Sequence, residues 1–165
     1  MEAERIFRQY GGMMLRHAQL MMGRDALAED AVQEALVRFI RLKPSFRDEQ
    51  HEKAWLLTVT GNICRDMLRR IKNRRETDAP EWFEAPCPAG APDEELARKE
   101  RNARLAQAVM ALPVRYREPV LLVYYHELTG MEAAQVMGMT ATAFRSRLMR
   151  ARDMLRVSLG GEVEM

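Results

Sequence analysis

The stretch TATAFRSRLMRAR, residues 140–152, combines four arginines with apolar residues at helical spacing. On a helical wheel at about 100° per residue, one narrow face carries the apolar side chains. These are Phe144, Leu148, Ala151 and Leu155. Hydroxyl groups and guanidinium groups occupy the opposite face and its flanks. Because arginine clamps phosphates and reads guanine through two parallel hydrogen bonds, this pattern indicates a helix that packs on one side and contacts nucleic acid on the other.

The residues before this stretch indicate that it is the second half of a helix-turn-helix. Thr129 is suited to cap a helix near 129–137, because its hydroxyl accepts a hydrogen bond from a backbone N–H of the first turn. Thr140 is suited to cap the arginine-rich helix near 140–157 in the same way. Gly138 between them turns cheaply into a left-handed conformation. A plain surface helix with solvated arginines is the alternative, but the caps and the turn favour DNA binding.

A second candidate surface lies on the helix predicted near 25–42. Its apolar stripe of Val32, Ala35, Leu36 and Phe39 predicts the buried face. An acidic patch on the other side of a rigid helix suits a basic protein partner better than DNA, although a solvated charged face is the alternative. The patch consists of Asp30, Gln33 and Glu34.

A third candidate surface lies on the helix predicted near 52–73, where Trp55, Val59 and Ile63 are predicted to pack inward. A polar stripe follows another face at positions i, i+4, i+7 and i+11 and leads into five Lys/Arg between residues 69 and 75. Basic residues there also complement the helix dipole, but such a stripe beside aromatics is able to hold melted or single-stranded nucleic acid. The stripe and its basic end include Thr58, Asn62, Arg65, Arg69 and Arg70.

Charge and proline content divide the 165-residue chain, whose net charge is only +2. Residues 1–75 hold 15 Lys/Arg against 10 Asp/Glu, residues 76–100 hold 2 against 8, and residues 101–165 hold 9 against 6. The stretch 77–95 also holds four of the seven prolines and the aromatic pair Trp82 and Phe83, which indicates a linker. The sequence therefore predicts an all-α protein with helical modules at 1–75 and 96–160 and a flexible acidic, proline-rich linker at 76–95. The predicted helices lie near 2–21, 25–42, 52–73, 93–111, 115–125, 129–137 and 140–157.

The sequence lacks the residue patterns of several function classes, which disfavours those classes. His17, His51 and His126 are scattered along the chain, and neither a glycine-rich phosphate loop nor a nucleophile motif is present, so we expect no enzyme and no cofactor. Cys64 and Cys87 have no metal-ligand spacing, so we expect no metal site. The N-terminus is unlike a signal peptide and the longest apolar run is far too short for a bilayer, so we expect a cytoplasmic protein without membrane insertion.

Three segments together resemble the extracytoplasmic-function sigma factors of bacterial RNA polymerase. AEDAVQEALVRFIR resembles the hallmark helix of the second conserved region, and AWLLTVTGNICRDMLRR resembles the promoter-melting helix that follows it. LPVRYREPVLLVYYHELTGMEAAQVMGMTATAFRSRLMRAR resembles the fourth conserved region. The resemblance covers roughly residues 5–75 and 96–157. Its departures are TGME at the start of the first helix of the pair and TAF, with a large Phe144, before the recognition basics.

The resemblance implies a role for each candidate surface and names the partners. Core RNA polymerase would dock on Asp30, Gln33 and Glu34, and the loop 43–51 would capture a base flipped from the melted −10 element. The linker would thread towards the RNA exit path, and an anti-sigma protein would clamp the two modules and mask these surfaces. The implied −10 residues are Trp55, Asn62, Arg65, Arg69 and Arg70. The implied −35 residues are Thr142, Arg145, Ser146, Arg147 and Arg150, with Arg117 at a DNA-backbone contact.

Two other functional hypotheses compete with the sigma-factor interpretation. A stand-alone helix-turn-helix regulator accounts for residues 129–157 and would bind duplex DNA alone, usually as a dimer. It leaves the acidic patch and the stretch from Trp55 to Arg75 without a role. An interaction adaptor would need no DNA. The sigma-factor reading instead predicts weak DNA binding alone and specific binding only with core polymerase.

Overall fold

The computed structural model describes residues 2–73 and 93–160, which form seven α-helices and no strand. The all-α prediction is therefore confirmed over this part of the chain. Most of the predicted linker, with Trp82, Phe83 and Cys87, lies outside the described residues. Its last three positions, 93–95, are described and begin a helix. The helices are α1 (Glu2–Met22), α2 (Asp25–Leu42), α3 (Glu49–Asn73), α4 (Asp93–Ala111), α5 (Val114–Val120), α6 (Gly130–Val136) and α7 (Ala141–Ser158).

The helix ends follow from local backbone chemistry. Gly23 ends α1 with φ of 70°, and Lys43 ends α2 in the left-handed region just before Pro44. Asp48 caps α3, because its carboxylate accepts a hydrogen bond of 2.8 Å from the backbone N–H of His51. The predicted helix near 115–125 is instead α5 followed by a π-helical turn at Leu121–Tyr125, in which the N–H of His126 donates to the carbonyl of Leu121.

Two hydrophobic clusters hold the helices together. The larger one is built on α1, α2 and α3, with Ile6, Met14, Met21 and Leu56 fully buried. The smaller one lies under the helix-turn-helix pair and is centred on Phe144. Each fully buried side chain of this size contributes about 1.5–3 kcal/mol through apolar surface removed from water.

The two clusters do not divide along the predicted modules. Leu57 of α3 is fully buried in the smaller cluster, while Leu112 and Leu155 from the C-terminal half belong to the larger one. Packing within the groups α1–α2–α3 and α5–α6–α7 is nevertheless more extensive than packing between them. The described chain therefore consists of two helical modules that lie closed against each other. None of the helices in residues 2–73 and 93–160 has the length and apolar composition needed to cross a bilayer.

Candidate nucleic-acid interface

The helix-turn-helix has the caps and the turn that the sequence predicts. Thr129 forms a capping box with Glu132: its hydroxyl accepts from the Glu132 N–H at 3.1 Å, and its own N–H donates to the Glu132 carboxylate at 2.9 Å. The hydroxyl of Thr140 accepts from the N–H of Ala143 at 3.1 Å. Gly138 has φ of 65°, the conformation in which glycine carries no Cβ penalty. The prediction of these three positions is confirmed.

The arginine-rich helix α7 presents its polar face to solvent. Phe144, Ala151 and Leu155 are buried on the inner side, as predicted. The hydroxyl and arginine side chains of the opposite side point towards solvent, and Arg150 also hydrogen-bonds Tyr116. Thr142, Arg145, Ser146 and Arg150 are exposed and Arg147 is half-buried.

A basic cavity of about 350 Å³ lies between the start of α5 and α7. Its walls include Ser146, Arg147 and Arg150 from the predicted set, together with Arg115 and Tyr116. Arg115 donates to the Tyr116 hydroxyl at 3.0 Å, and its guanidinium lies 4.8 Å from the centre of the Tyr116 ring. Hydrogen bonding from Arg150, and then from Arg115, lowers the pKa of Tyr116. The sequence analysis missed both residues, although arginine next to an aromatic in PVRYRE is a usable signal.

Arg117 does not face this cavity. Its side chain is 9% exposed, and its guanidinium donates to the backbone carbonyls of Met110 and Leu112 at 2.8 and 2.9 Å and also to those of Leu20 and Met21. Burial lowers its pKa to about 10. In this closed arrangement Arg117 has no access to DNA. The sequence placed it at a DNA-backbone contact, whereas the exposed residue of the α5 start is Arg115, two positions earlier.

The acidic patch on α2 is open to solvent. Asp30 and Gln33 are exposed, and Glu34 is half-exposed and accepts from Arg38 at 3.4 Å. The same face continues one turn on with Val37 and Ile40, whose side chains are 38% and 49% exposed. These two were not predicted, because they belong neither to the apolar stripe nor to the acidic patch that the sequence indicates. Acid followed by exposed apolar surface on one rigid helix is typical of a protein-docking face.

Aromatic packing fixes the connection between α2 and α3. Trp55 contacts Phe39 and Phe46 with ring centres 6.0 and 5.8 Å apart, and the rings of Phe46 and His51 are 5.4 Å apart. Trp55 is half-buried in this cluster, which agrees with its predicted inward packing. The cluster holds the loop 43–48 against the N-terminal end of α3, so the predicted base-capture loop and the predicted strand-binding helix form one surface.

The polar stripe of α3 has two different parts. Arg69 and Arg70 are exposed near the C-terminal end of the helix. Arg65 is instead ion-paired with Glu118 of α5 and also donates to the side-chain oxygen of Asn62. Thr58 is half-buried and donates to the carbonyl of Ala54 at 2.7 Å. The tertiary structure therefore occupies the middle of the stripe and leaves its basic end open.

Two of the three histidines, separated by 109 positions, come together between the modules. His17 Nδ1 and His126 Nε2 are 2.9 Å apart, and both side chains are buried. Burial is the main cause that lowers the pKa of each ring: well below the usual value for His17, helped by His126 and Arg65, and to about 4 for His126, helped by Lys53. The sequence analysis treated these histidines as unrelated, because only the fold makes them neighbours.

The histidine pair should make the fold acid-sensitive. Both pKa values are lower in the folded chain than in the unfolded chain, so the unfolded chain binds more protons as the pH falls below about 6.5. The contribution of the neutral histidines to stability is fully present above that pH and is lost as the pH falls towards about 4. We expect the free energy of unfolding in urea to fall by roughly 2 kcal/mol between about pH 7 and pH 5 through His126, and His17 should add to this fall. His126→Asn should make the pH dependence of the unfolding free energy shallower. Equal unfolding midpoints of the unsubstituted chain at the two pH values would contradict the prediction.

Comparison with known proteins assigns the two halves of the chain. The family model described as Sigma-70 region 2 matches residues 6–75, and the model described as Sigma-70, region 4 matches residues 102–155. The ECF RNA polymerase sigma factor SigM of Mycobacterium tuberculosis is 30% identical over 157 residues, which cover 95% of this chain and 76% of that protein. The chain belongs to the ECF sigma factors. The resemblance seen in the sequence is thereby confirmed.

Two further ECF sigma factors are longer than this chain. SigE of Mycolicibacterium smegmatis is 30% identical over 93% of the chain, and BldN of Streptomyces coelicolor is 28% identical over 89% of it. The chain spans 60% and 56% of the lengths of these relatives.

Solved structures show the same fold over nearly the whole chain. The sigma factor RpoE of Bartonella quintana, solved with the anti-sigma factor NepR, has a TM-score of 0.74 at 21% identity and covers 97% of this chain and 98% of its own. CnrH, solved with the cytosolic domain of CnrY, has a TM-score of 0.66 at 22% identity and covers 98% of this chain and 89% of its own. The described helices therefore follow the fold of these sigma factors.

Proposed function

We propose that this chain is an ECF-type sigma factor that binds core RNA polymerase and directs promoter-specific transcription initiation. It reads duplex DNA of the −35 element through α7 and holds melted −10 DNA through α3. It catalyses no reaction itself. The observation that carries the proposal is the capped helix-turn-helix with an exposed hydroxyl and arginine face, on the same chain as a separate module with an acidic docking patch.

Two groups of side chains on the C-terminal module have different proposed roles. Thr142, Arg145 and Ser146 occupy the N-terminal part of α7, which is the part that enters the major groove in such motifs. Arg115, Arg147 and the neighbouring Arg150 line the basic cavity, where a DNA phosphate would meet several guanidinium groups. The first group would select bases, and the second would position the helix on the backbone.

The N-terminal module carries the polymerase contact and the strand contact on different helices. Asp30, Gln33 and Glu34 would meet basic side chains of core polymerase, and the exposed Val37 and Ile40 would bury apolar surface beside them. The melted strand would run over the aromatic cluster at the start of α3 towards the exposed Arg69 and Arg70. Trp55, Asn62 and Arg65 lie along the same helix.

An anti-sigma protein is the proposed further partner. RpoE and CnrH share the fold, and RpoE was solved in complex with an anti-sigma factor. A protein of this kind would act on the closed arrangement of the two modules, in the cytoplasm.

Run-off transcription with purified core polymerase on pooled promoter fragments, with and without the chain, tests the proposal. New transcripts that require the chain are the expected result, and their start sites would identify the promoter. Absence of transcripts together with tight duplex binding by the chain alone would contradict the proposal and indicate a stand-alone regulator. Absence of both would contradict it in favour of an adaptor.

Arg145→Ala should weaken use of the promoter and blur its −35 preference. A guanidinium that reads a base edge contributes about 1–3 kcal/mol of discrimination, and Arg145 is exposed on the groove-facing part of α7. The measurement is the affinity of the holoenzyme for matched and −35-mutated promoters. Arg156→Ala is the control, because Arg156 is exposed about three turns further along the same helix and pairs with Asp153 at 3.4 Å. Equal loss in both variants would remove Arg145 from the base-reading face.

A further inference from the structure

Two adjacent residues of α5 reach from the C-terminal module into the N-terminal one. The Arg117 guanidinium donates to the carbonyls of Leu20 and Met21. These carbonyls belong to the last turn of α1, where they have no partner within the helix and the helix dipole is negative. Arg117 is therefore a cap that one module supplies to a helix of the other.

The side chain of the next residue, Glu118, packs against α3. Its side chain is completely buried, and one carboxylate oxygen accepts a hydrogen bond from Arg65. The other oxygen, Oε1, has no hydrogen-bond partner among the described residues. Burial raises the pKa of Glu118, and Arg65 opposes that rise. A buried ion pair with an unsatisfied oxygen costs much of its Coulomb energy in desolvation, so this contact is specific without being strongly stabilising.

Gly61 makes room for this carboxylate. A Cβ atom at position 61 would lie 2.7 Å from Oε1 of Glu118, closer than real Cβ atoms approach a neighbour. Because Gly61 lies in the interior of α3, where glycine is a poor helix former, its presence has a cost that the close approach of Glu118 explains. Gly61 and Arg65, one turn apart, thus form a notch with a charged wall.

We propose that the Glu118 side chain in the Gly61–Arg65 notch is an intramolecular latch that masks the strand-binding face of α3. The carboxylate pairs with the Arg65 guanidinium, which a phosphate of the melted strand would otherwise contact. Asn62 belongs to the same network, because its side-chain oxygen accepts a hydrogen bond from Arg65. DNA and Glu118 compete for Arg65, so the modules must separate before α3 holds the strand. This inference rests on the proposed role of α3 in strand binding.

Other polar bridges between the modules support the closed state. Lys53 donates to the carbonyl of His126 at 2.7 Å, and Gln50 donates to the Glu132 carboxylate at 2.7 Å. Both donors belong to α3, so the C-terminal module lies along this helix from its first turn to Arg65. In this closed state Arg65 of α3 is paired with Glu118, whereas Arg69 and Arg70 at the basic end of the helix remain exposed.

Gly61→Ala in the full-length chain tests the latch. The new methyl group should push Glu118 out of the notch while raising the helix propensity of α3, so the thermal midpoint of the N-terminal helices should not fall. Glu118→Gln should release Arg65 without changing the size of the side chain. The matched control is Gly12→Ala, because a Cβ at that helical glycine of α1 meets nothing within 4 Å.

Two readouts separate the latch from the role of α3. Small-angle scattering should show a larger radius of gyration for Gly61→Ala and Glu118→Gln than for Gly12→Ala. Binding of a fluorescein-labelled oligothymidine strand should tighten by about tenfold in the same two variants, because apparent affinity scales with the open fraction. An unchanged radius of gyration in both variants would overturn the latch. Opening without tighter strand binding would overturn the masking and the proposed role of α3, while closure itself would stand.

Discussion

Replacing Asp30 and Glu34 together by arginine is expected to lower the affinity for core RNA polymerase by at least about 100-fold. Like charges that meet across an interface cost several kcal/mol, and this double change places two positive charges where a basic partner surface is proposed to dock. Both side chains reach solvent, and the double change removes the 3.4 Å contact of Glu34 with Arg38. Such an exposed pair on one helix contributes only about 0.3–0.5 kcal/mol, so the fold should persist.

Co-purification and fluorescence anisotropy with purified core polymerase measure this effect. The matched control reverses two charges on α4, Glu95→Arg plus Glu100→Arg, because both side chains are exposed and the net-charge change is the same. If the α2 and α4 variants lose affinity equally, the effect is one of net charge, and the docking site on α2 is wrong. A smaller loss in Val37→Ala would extend the docking face to its apolar end.

Phe144→Ala is expected to cost about 3–5 kcal/mol of stability, because it leaves a large cavity in a close-packed site. Phe144 is 1% exposed and packs with Leu122, Leu128 and Val136 of the C-terminal module and with Leu57 of α3. The substitution should therefore loosen both the helix-turn-helix and its contact with the other module. Urea unfolding followed by circular dichroism gives the free energy directly.

The control for this cavity is Met149→Ala on the same helix. The Met149 side chain is 59% exposed, and surface substitutions of this kind usually change stability by less than about 0.5 kcal/mol. A loss below about 1 kcal/mol for Phe144→Ala would show that Phe144 is not the centre of the smaller cluster.

Local patterns predicted most of the helices. Apolar periodicity and the breaks at Gly23 and Pro44 placed α1 and α2 to within one residue. The start of α3 was placed three residues late, because the cap is the side chain of Asp48 and the apolar pattern begins only with Trp55. The π-helical turn at Leu121–Tyr125 was missed, because an extra residue in a turn leaves no clear mark in a short apolar run.

The exposed positions of the candidate site were predicted wherever they depend on one helix alone. Asp30 and Arg145 are polar residues on the solvent side of amphipathic helices, and a helical wheel identifies such positions without knowledge of the neighbours. Arg115 and Arg117 could not be separated in this way. They lie two residues apart on α5, and their different environments depend on where α1 ends.

The sequence by itself determined most of the helices, the caps at Thr129 and Thr140 and the family, because the helices and caps depend on residues within a few turns of one another. Only the tertiary structure decided which ionisable side chains are buried between the modules. Arg117 meets the end of α1, Glu118 meets Arg65, and His17 meets His126, across separations of 53 to 109 positions. A helical pattern reports which side of a helix avoids water, but a contact between two distant helices depends on how both pack in three dimensions.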